Sequence, residues 1–258
     1  MKNMQNQVIL KLTEKLAIFF GSQASRLLQT DLKKDQSIVT EIDLFVSQII
    51  KEQLSLHAKY SSYSFFSEED YSEYAFPCAI LDPIDGTREL VKGRPECAVS
   101  LALMRSSRID DPENYAWLFN PFSGFSLDTT MLFVPSLNRS SQKSLALVSR
   151  SEFHKGLFDK FLQQSQIEIS PRGSIAFKLG LLASGACDFV ISLAPKNVWD
   201  IAAGTILCHQ RGIYFYQNGI RINKLDKMSY EGVLIWTTEA QFSMLQSLLG
   251  DEILKMKY

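Results

Sequence analysis

The sequence predicts an α+β chain that passes into an α/β one: helices beside a mainly antiparallel sheet, then strands alternating with helices. Three observations carry this. Apolar residues recur at helical spacing in two early stretches, Val8 to Phe20 and Ile42 to Leu54. Short apolar or alternating segments, separated by Pro, Gly, Ser and Asp, then follow one another between Tyr63 and Val134. Beyond about residue 144 strand-like and helix-like segments alternate.

In order, Val8, Ile9, Leu12, Leu16 and Phe19 or Phe20 mark an opening amphipathic helix that Gly21 interrupts or ends. Thr40 and Asp43 have the spacing of a capping box ahead of a second helix, whose apolar face is Ile42, Phe45, Val46, Ile49, Ile50 and Leu54. Tyr63 to Phe66, Cys78 to Leu81, Cys97 to Met104, Tyr115 to Phe119 and Met131 to Val134 read as consecutive strands. The second half reads as strand Leu145 to Ser149, helix Glu152 to Gln164, strand Ile167 to Ile169, helix Ser174 to Ser184 and strand Asp188 to Leu193. Helix Trp199 to His209, strands Gly212 to Tyr216 and Gly232 to Trp236, and a terminal helix from Glu239 follow. The Ser-rich stretch Ser136 to Ser144 is the expected boundary between two domains, 1–143 and 144–258.

Composition removes several classes of function. With 258 residues, 46% hydrophobic and 21% charged, the chain buries a core and is not disordered or fibrous. The 27 Lys and Arg against 28 Asp and Glu give a formal charge of −1 and no global field for a nucleic-acid polymer or an anionic membrane. An anionic ligand must be held locally. Cys78, Cys97, Cys187 and Cys208 form no CxxC pair, which speaks against a zinc ribbon or a disulfide framework. Met1 to Phe20 lacks the order of a signal peptide, and no apolar run nears the roughly 20 residues of a membrane span. A soluble, cytoplasmic protein is the expectation.

The densest acidic feature is Glu68-Glu69-Asp70, followed by Asp82-Pro83-Ile84-Asp85-Gly86-Thr87. Each group ends a predicted strand, so adjacent strands would make the carboxylates converge, and converging anions repel unless cations share the site. The donors are all oxygen, which points to a hard ion such as Mg²⁺. Taken singly, each piece is more often a solvated loop or a turn. Together they differ, because Pro83 stiffens the backbone between two carboxylates, and Gly86 and Thr87 open a helical turn whose N–H groups suit a phosphate.

These residues carry a resemblance to the inositol monophosphatase superfamily. It rests on four ordered motifs: Val39-Thr40-Glu41-Ile42-Asp43, the pair Glu68-Glu69, Asp82-Pro83-Ile84-Asp85-Gly86-Thr87, and Asn197-Val198-Trp199-Asp200-Ile201-Ala202-Ala203-Gly204. The resemblance implies a layered α-β-α-β-α sandwich of the inositol monophosphatase or sugar phosphatase type, a homodimer, and a lithium-sensitive phosphatase using two to three Mg²⁺. It implies that Glu68, Asp82 and the carbonyl of Ile84 hold one metal, that Asp82, Asp85 and Asp200 hold a second, and that Glu68 touches a third with Glu69 acting through water. Thr87 and Asp43 would orient the attacking water, and the N–H groups of Gly86 and Thr87 would receive phosphoryl oxygens. Asp200 would also serve as a helix cap.

The substrate expected is a small phosphorylated molecule. Lys33-Lys34-Asp35-Gln36-Ser37 resembles the mobile loop of bacterial 3′(2′),5′-bisphosphate nucleotidases, and equally reads as a pair of solvated lysines. Ser149, Arg150, Gly173, Ser174 and Lys178 are candidate substrate contacts on the same resemblance, beside the plainer reading of two caps and a surface arginine. Two departures stand out: Glu152 where those nucleotidases carry His, and Gln210-Arg211-Gly212-Ile213-Tyr214-Phe215 where the family has Gly-Gly-x-x-x-Asp. The lean is to a 3′-phosphoadenosine 5′-phosphate-type substrate, with inositol 1-phosphate or another sugar phosphate as runner-up. A non-catalytic metal- or phosphate-binding protein is the alternative from another class.

Overall fold

The computed structural model describes residues 1–22, 31–32, 38–39, 41–71, 74–131 and 143–253. The first half holds α1 (Lys2–Ser22), β1 (Asp31–Leu32), β2 (Ile38–Val39), α2 (Glu41–Ser55), β3 (Ser64–Ser67), β4 (Cys78–Asp85), α3 (Thr87–Val91), β5 (Ala98–Met104), β6 (Tyr115–Phe119) and β7 (Ser126–Asp128). The second holds β8 (Ser144–Ser149), α4 (Arg150–His154), α5 (Asp159–Leu162), β9 (Ile167–Arg172), α6 (Ile175–Ala183), β10 (Phe189–Ser192), β11 (Lys196–Asn197) and α7 (Val198–His209). β12 (Tyr214–Gln217), β13 (Ile220–Ile222), β14 (Ser229–Tyr230), β15 (Leu234–Thr237) and α8 (Glu239–Ile253) complete it.

Two sheets organise these elements. The first has order β3-β4-β5-β6-β7, with β3 and β4 parallel and the remaining neighbours antiparallel. The second has order β13-β12-β15-β10-β8-β9; β8 runs parallel to both β10 and β9, and the other pairs are antiparallel.

Strand alternation explains the layering. Every residue of β5 is buried. Its Val99, Leu101 and Leu103 join α1 and α2 residues such as Val8, Leu12, Ile42, Val46 and Ile50 in one core. Its Ala98, Ala102 and Met104 face the other way, into a core that α6 and α7 share with Leu147, Val190 and Trp236 of the second sheet. On the far face of that sheet Ala146, Val148, Phe189 and Ile191 meet Phe158, Phe161, Phe242 and Leu245. The result is helices, sheet, helices, sheet, helices, the α-β-α-β-α sandwich. Among the described residues no helix is long and apolar enough to cross a membrane.

Some elements differ from their sequence prediction. The single helix expected over Glu152 to Gln164 is two short ones, because Gly156 takes φ 73° between them and the chain then turns Phe158 into the core. The strand expected over Met131 to Val134 lies outside the described residues after Met131, while Ser126–Asp128 supplies the edge strand β7. Thr40 and most of Ser136 to Ser144 also lie outside them.

Candidate functional site

β4 pairs with β5 in regular register from Cys78↔Met104 to Asp82↔Ser100, then slips before Asp85↔Ala98. Pro83 within the slip has no N–H to give to the ladder, and the irregularity brings Asp82 and Asp85 to one cavity. The chain then turns sharply. Gly86 has φ 91°, and a Cβ there would lie 2.8 Å from the Glu96 carbonyl oxygen, so the turn needs glycine. Thr87 opens α3, its hydroxyl donating to the Ile84 carbonyl at 2.9 Å and reaching Asp43 Oδ1 at 3.4 Å. Asp43 is buried on α2.

The second half brings two helix starts to the same place. Asp85 Oδ2 accepts from the Ser174 hydroxyl and from the Ala176 N–H, each at 2.6 Å, so this carboxylate sits on the N-terminus of α6, where the helix dipole favours negative charge. Asp200 lies in the first turn of α7, and its Oδ2 accepts from the Asn197 N–H at 2.9 Å. One oxygen from each of Asp82, Asp85 and Asp200 falls within 4.8 Å of the others. Glu68, just beyond β3, lines the same cavity of about 580 Å³, as do Ile84, Gly86 and Thr87. Glu69 is not among the lining residues.

Electrostatics mark this cluster as incomplete. Burial raises Asp82 well above the usual carboxylate range, and Asp85, Glu68, Asp200 and Asp43 raise it further. Burial, then Asp85, pushes Asp200 up to about 7, against the pull of Lys196. Asp82 Oδ1 is buried with no hydrogen-bond partner among the described residues. A buried, unpartnered carboxylate oxygen beside other carboxylates is costly unless a cation joins it. An all-oxygen donor set fits a hard divalent ion rather than zinc or copper.

A model of the inositol monophosphatase family matches residues 2–234. This chain belongs to that family. Two relatives are a 3′(2′),5′-bisphosphate nucleotidase of Haemophilus influenzae, 26% identical over 203 residues (69% of this chain, 71% of the relative), and inositol monophosphatase 2 of Saccharomyces cerevisiae, 28% identical over 201 residues (68% of each). An IMPase of Thermotoga maritima shares the fold, with a TM-score of 0.71 at 20% identity over 99% of both chains.

In this member of the inositol monophosphatase family basic side chains line the same cavity as the acids. Ser149, Arg150, Gly173, Ser174 and Lys178 all line it, together with Arg88, Lys92, Arg94, Arg172 and Lys196. Lys33 lies outside the described residues. Lys178 is buried, its ammonium donating to the Arg172 carbonyl at 3.2 Å, and burial pulls it down to about 8. Arg150 does not point a bare guanidinium into the cavity: Nη1 lies 3.2 Å from Glu89 Oε2 and Nη2 lies 2.6 Å from Glu96 Oε2. Sequence reasoning passed over Glu89, Glu96 and Lys196. One signal was available, since Glu96 sits two residues before a strand in which every residue is buried.

Both departures from the family pattern have packing explanations. Glu152 is buried, accepting from Ser192 Oγ at 3.1 Å and Leu193 N–H at 2.7 Å, so it ties α4 to the end of β10. After α7, Phe215 stacks on Trp236 at 4.4 Å and Tyr216 on Phe242 at 3.8 Å, while Arg211 caps the Leu207 carbonyl at 2.9 Å.

Proposed function

We propose that this chain is a Mg²⁺-dependent phosphomonoesterase, built as domains 1–143 and 144–258 with its site between them, and that its substrate is a 3′-phosphoadenosine 5′-phosphate-type nucleotide. The convergence of Asp82, Asp85 and Asp200, together with a buried Asp82 oxygen that has no partner among the described residues, carries the reading. Mg²⁺ held by these carboxylates, with Glu68 and the Ile84 carbonyl, supplies Lewis-acid charge that acidifies water and offsets charge on the phosphoryl group.

The chain's own residues supply the rest. The Thr87 hydroxyl gives its proton toward the Ile84 carbonyl or Asp43, which leaves its oxygen to accept from the attacking water. Gly86 permits the positive-φ turn that opens α3, and the N–H groups at that start would receive a phosphoryl oxygen. Water oxygen bonds to phosphorus, the ester P–O bond breaks, and the departing alcohol oxygen takes up a proton. Lys178 and Lys196 line the cavity, Lys196 with its ammonium 3.7 Å from Glu152 Oε1, and their positive charge supports a substrate with a second anionic group. An inositol monophosphate offers only hydroxyls there.

Phosphate release from 3′-phosphoadenosine 5′-phosphate, inositol 1-phosphate and fructose 1,6-bisphosphate, with Mg²⁺ and then with added Li⁺, tests this. The expected result is Mg²⁺-dependent turnover, suppressed by Li⁺ and fastest on the nucleotide. Turnover of inositol 1-phosphate alone would overturn the substrate, and Mg²⁺ binding with no turnover across the panel would favour a non-catalytic binding protein.

A further inference from the structure

Glu96 stands where two turns meet. Its Oε2 accepts from the Gly173 N–H at 2.6 Å and pairs with Arg150 Nη2 at 2.6 Å, and Arg172 Nε lies 3.9 Å from its Oε1. Its backbone carbonyl packs against Gly86 on the other side. The side chain is only 14% exposed.

The residue after Gly173 is strained. Ser174 has φ 50° and ψ 119°, a region that non-glycine residues rarely occupy unless the surroundings over-determine it. The surroundings here act from both sides. Glu96 holds the N–H of the preceding residue, while Asp85 Oδ2 takes the Ser174 hydroxyl and the Ala176 N–H. Ser174 Oγ also accepts from the Phe177 N–H at 2.9 Å, which locks its rotamer.

We propose that Glu96 is a positioning residue for the metal site: by holding the Gly173 N–H it fixes the Ser174 turn, and that turn aims the Asp85 carboxylate at Asp82 and Asp200. This rests on the reading of Asp85 as a metal ligand. Glu96 itself touches neither metal nor substrate. A merely structural Glu96, tying α4 to the loop after α3 through Arg150, would affect stability and leave metal affinity alone.

Calorimetric titration of Mg²⁺ alone into metal-stripped protein separates the two, with thermal melts of the same samples. Glu96→Ala and Ser174→Ala should each weaken Mg²⁺ binding about tenfold, the lower end for residues supporting a metal ligand. The double variant should be no weaker than the worse single, since both act through one turn. Glu96→Gln keeps an acceptor oxygen for Gly173 and should bind Mg²⁺ nearly as the wild type does, despite losing its ion pairs. Glu96→Asp keeps the charge but retracts the acceptor, and should weaken binding as alanine does, which serves if Glu96→Ala does not fold. Unchanged affinity in Glu96→Ala or Glu96→Asp with only a lowered melting temperature would overturn the proposal, as would effects that multiply in the double variant. A wild type that binds no Mg²⁺ would instead remove the phosphatase reading, and this inference with it.

Discussion

Two groups of acids flank one cavity and are treated in opposite ways. Glu89 and Glu96 are matched by arginines: Arg150 bridges both, and Arg94 adds a second contact to Glu89 at 3.1 Å. Asp82, by contrast, is surrounded chiefly by like charge from Asp85, Glu68, Asp200 and Asp43, and one of its oxygens has no partner among the described residues. The density of acids does not distinguish the groups. Whether the chain supplies the counter-charge does, and where it does not, the proposed Mg²⁺ would supply it from solution.

The sharpest way to break this contrast is on the unmatched side. Asp85→Asn keeps side-chain volume and can still accept from Ser174 and Ala176, so the fold should survive while one charged ligand is lost. Phosphate release should fall more than about 100-fold, beyond what supporting residues of a metal site reach. Wild-type rates in that variant would sink the assignment. Among the basic residues of the cavity, Lys178→Met removes a buried ammonium. It should raise KM for 3′-phosphoadenosine 5′-phosphate about tenfold, the lower range for a charged hydrogen bond, with less change in kcat; an equal KM would show that Lys178 does not meet the substrate.

Breaking the matched group should read out as stability instead. Arg150→Ala leaves Glu89 and Glu96 shielded without their shared cation, costing about 2–3 kcal/mol, less than a fully buried pair because the guanidinium is 26% exposed. The melting temperature should drop by roughly 5–10 °C for a chain of this size. An unchanged melt would show that the two groups are not so different.

A last effect sharpens the contrast through pH. Asp200 is raised in the folded state to about 7, so its contribution is fully present below the unfolded carboxylate value, about 4, and is lost as pH rises through about 7. Metal-free wild type should therefore lose stability relative to Asp200→Asn between about pH 4 and pH 7, measured as the difference in melting temperature. Added Mg²⁺ should remove that slope. A difference that stays flat with pH in the metal-free proteins would contradict it.

Much of this was legible in the sequence, and the reason lies in how local each signal is. The Asp82 to Thr87 run encodes its own turn, since Pro83 interrupts the ladder and Gly86 takes a positive φ. Apolar spacing placed α1, α2, α6 and α7 within a few residues of where they lie. Tertiary pairings were not legible. Arg150 reads from sequence as a substrate contact, yet its partners Glu89 and Glu96 are 61 and 54 residues away. Glu152 reads as a departure from a ligand-binding pattern, and only the fold brings it to the Ser192 hydroxyl and Leu193 N–H. The short edge strands β7 and β13 carry too few apolar residues to announce themselves.

The central claim is that the unmatched carboxylates work by holding a divalent cation, and the most direct test is the rate of phosphate release from 3′-phosphoadenosine 5′-phosphate as Mg²⁺ is titrated into metal-stripped protein. The account expects no release without metal, a saturable rise with Mg²⁺, and return to zero on chelation. A rate that is the same with and without chelator would contradict it.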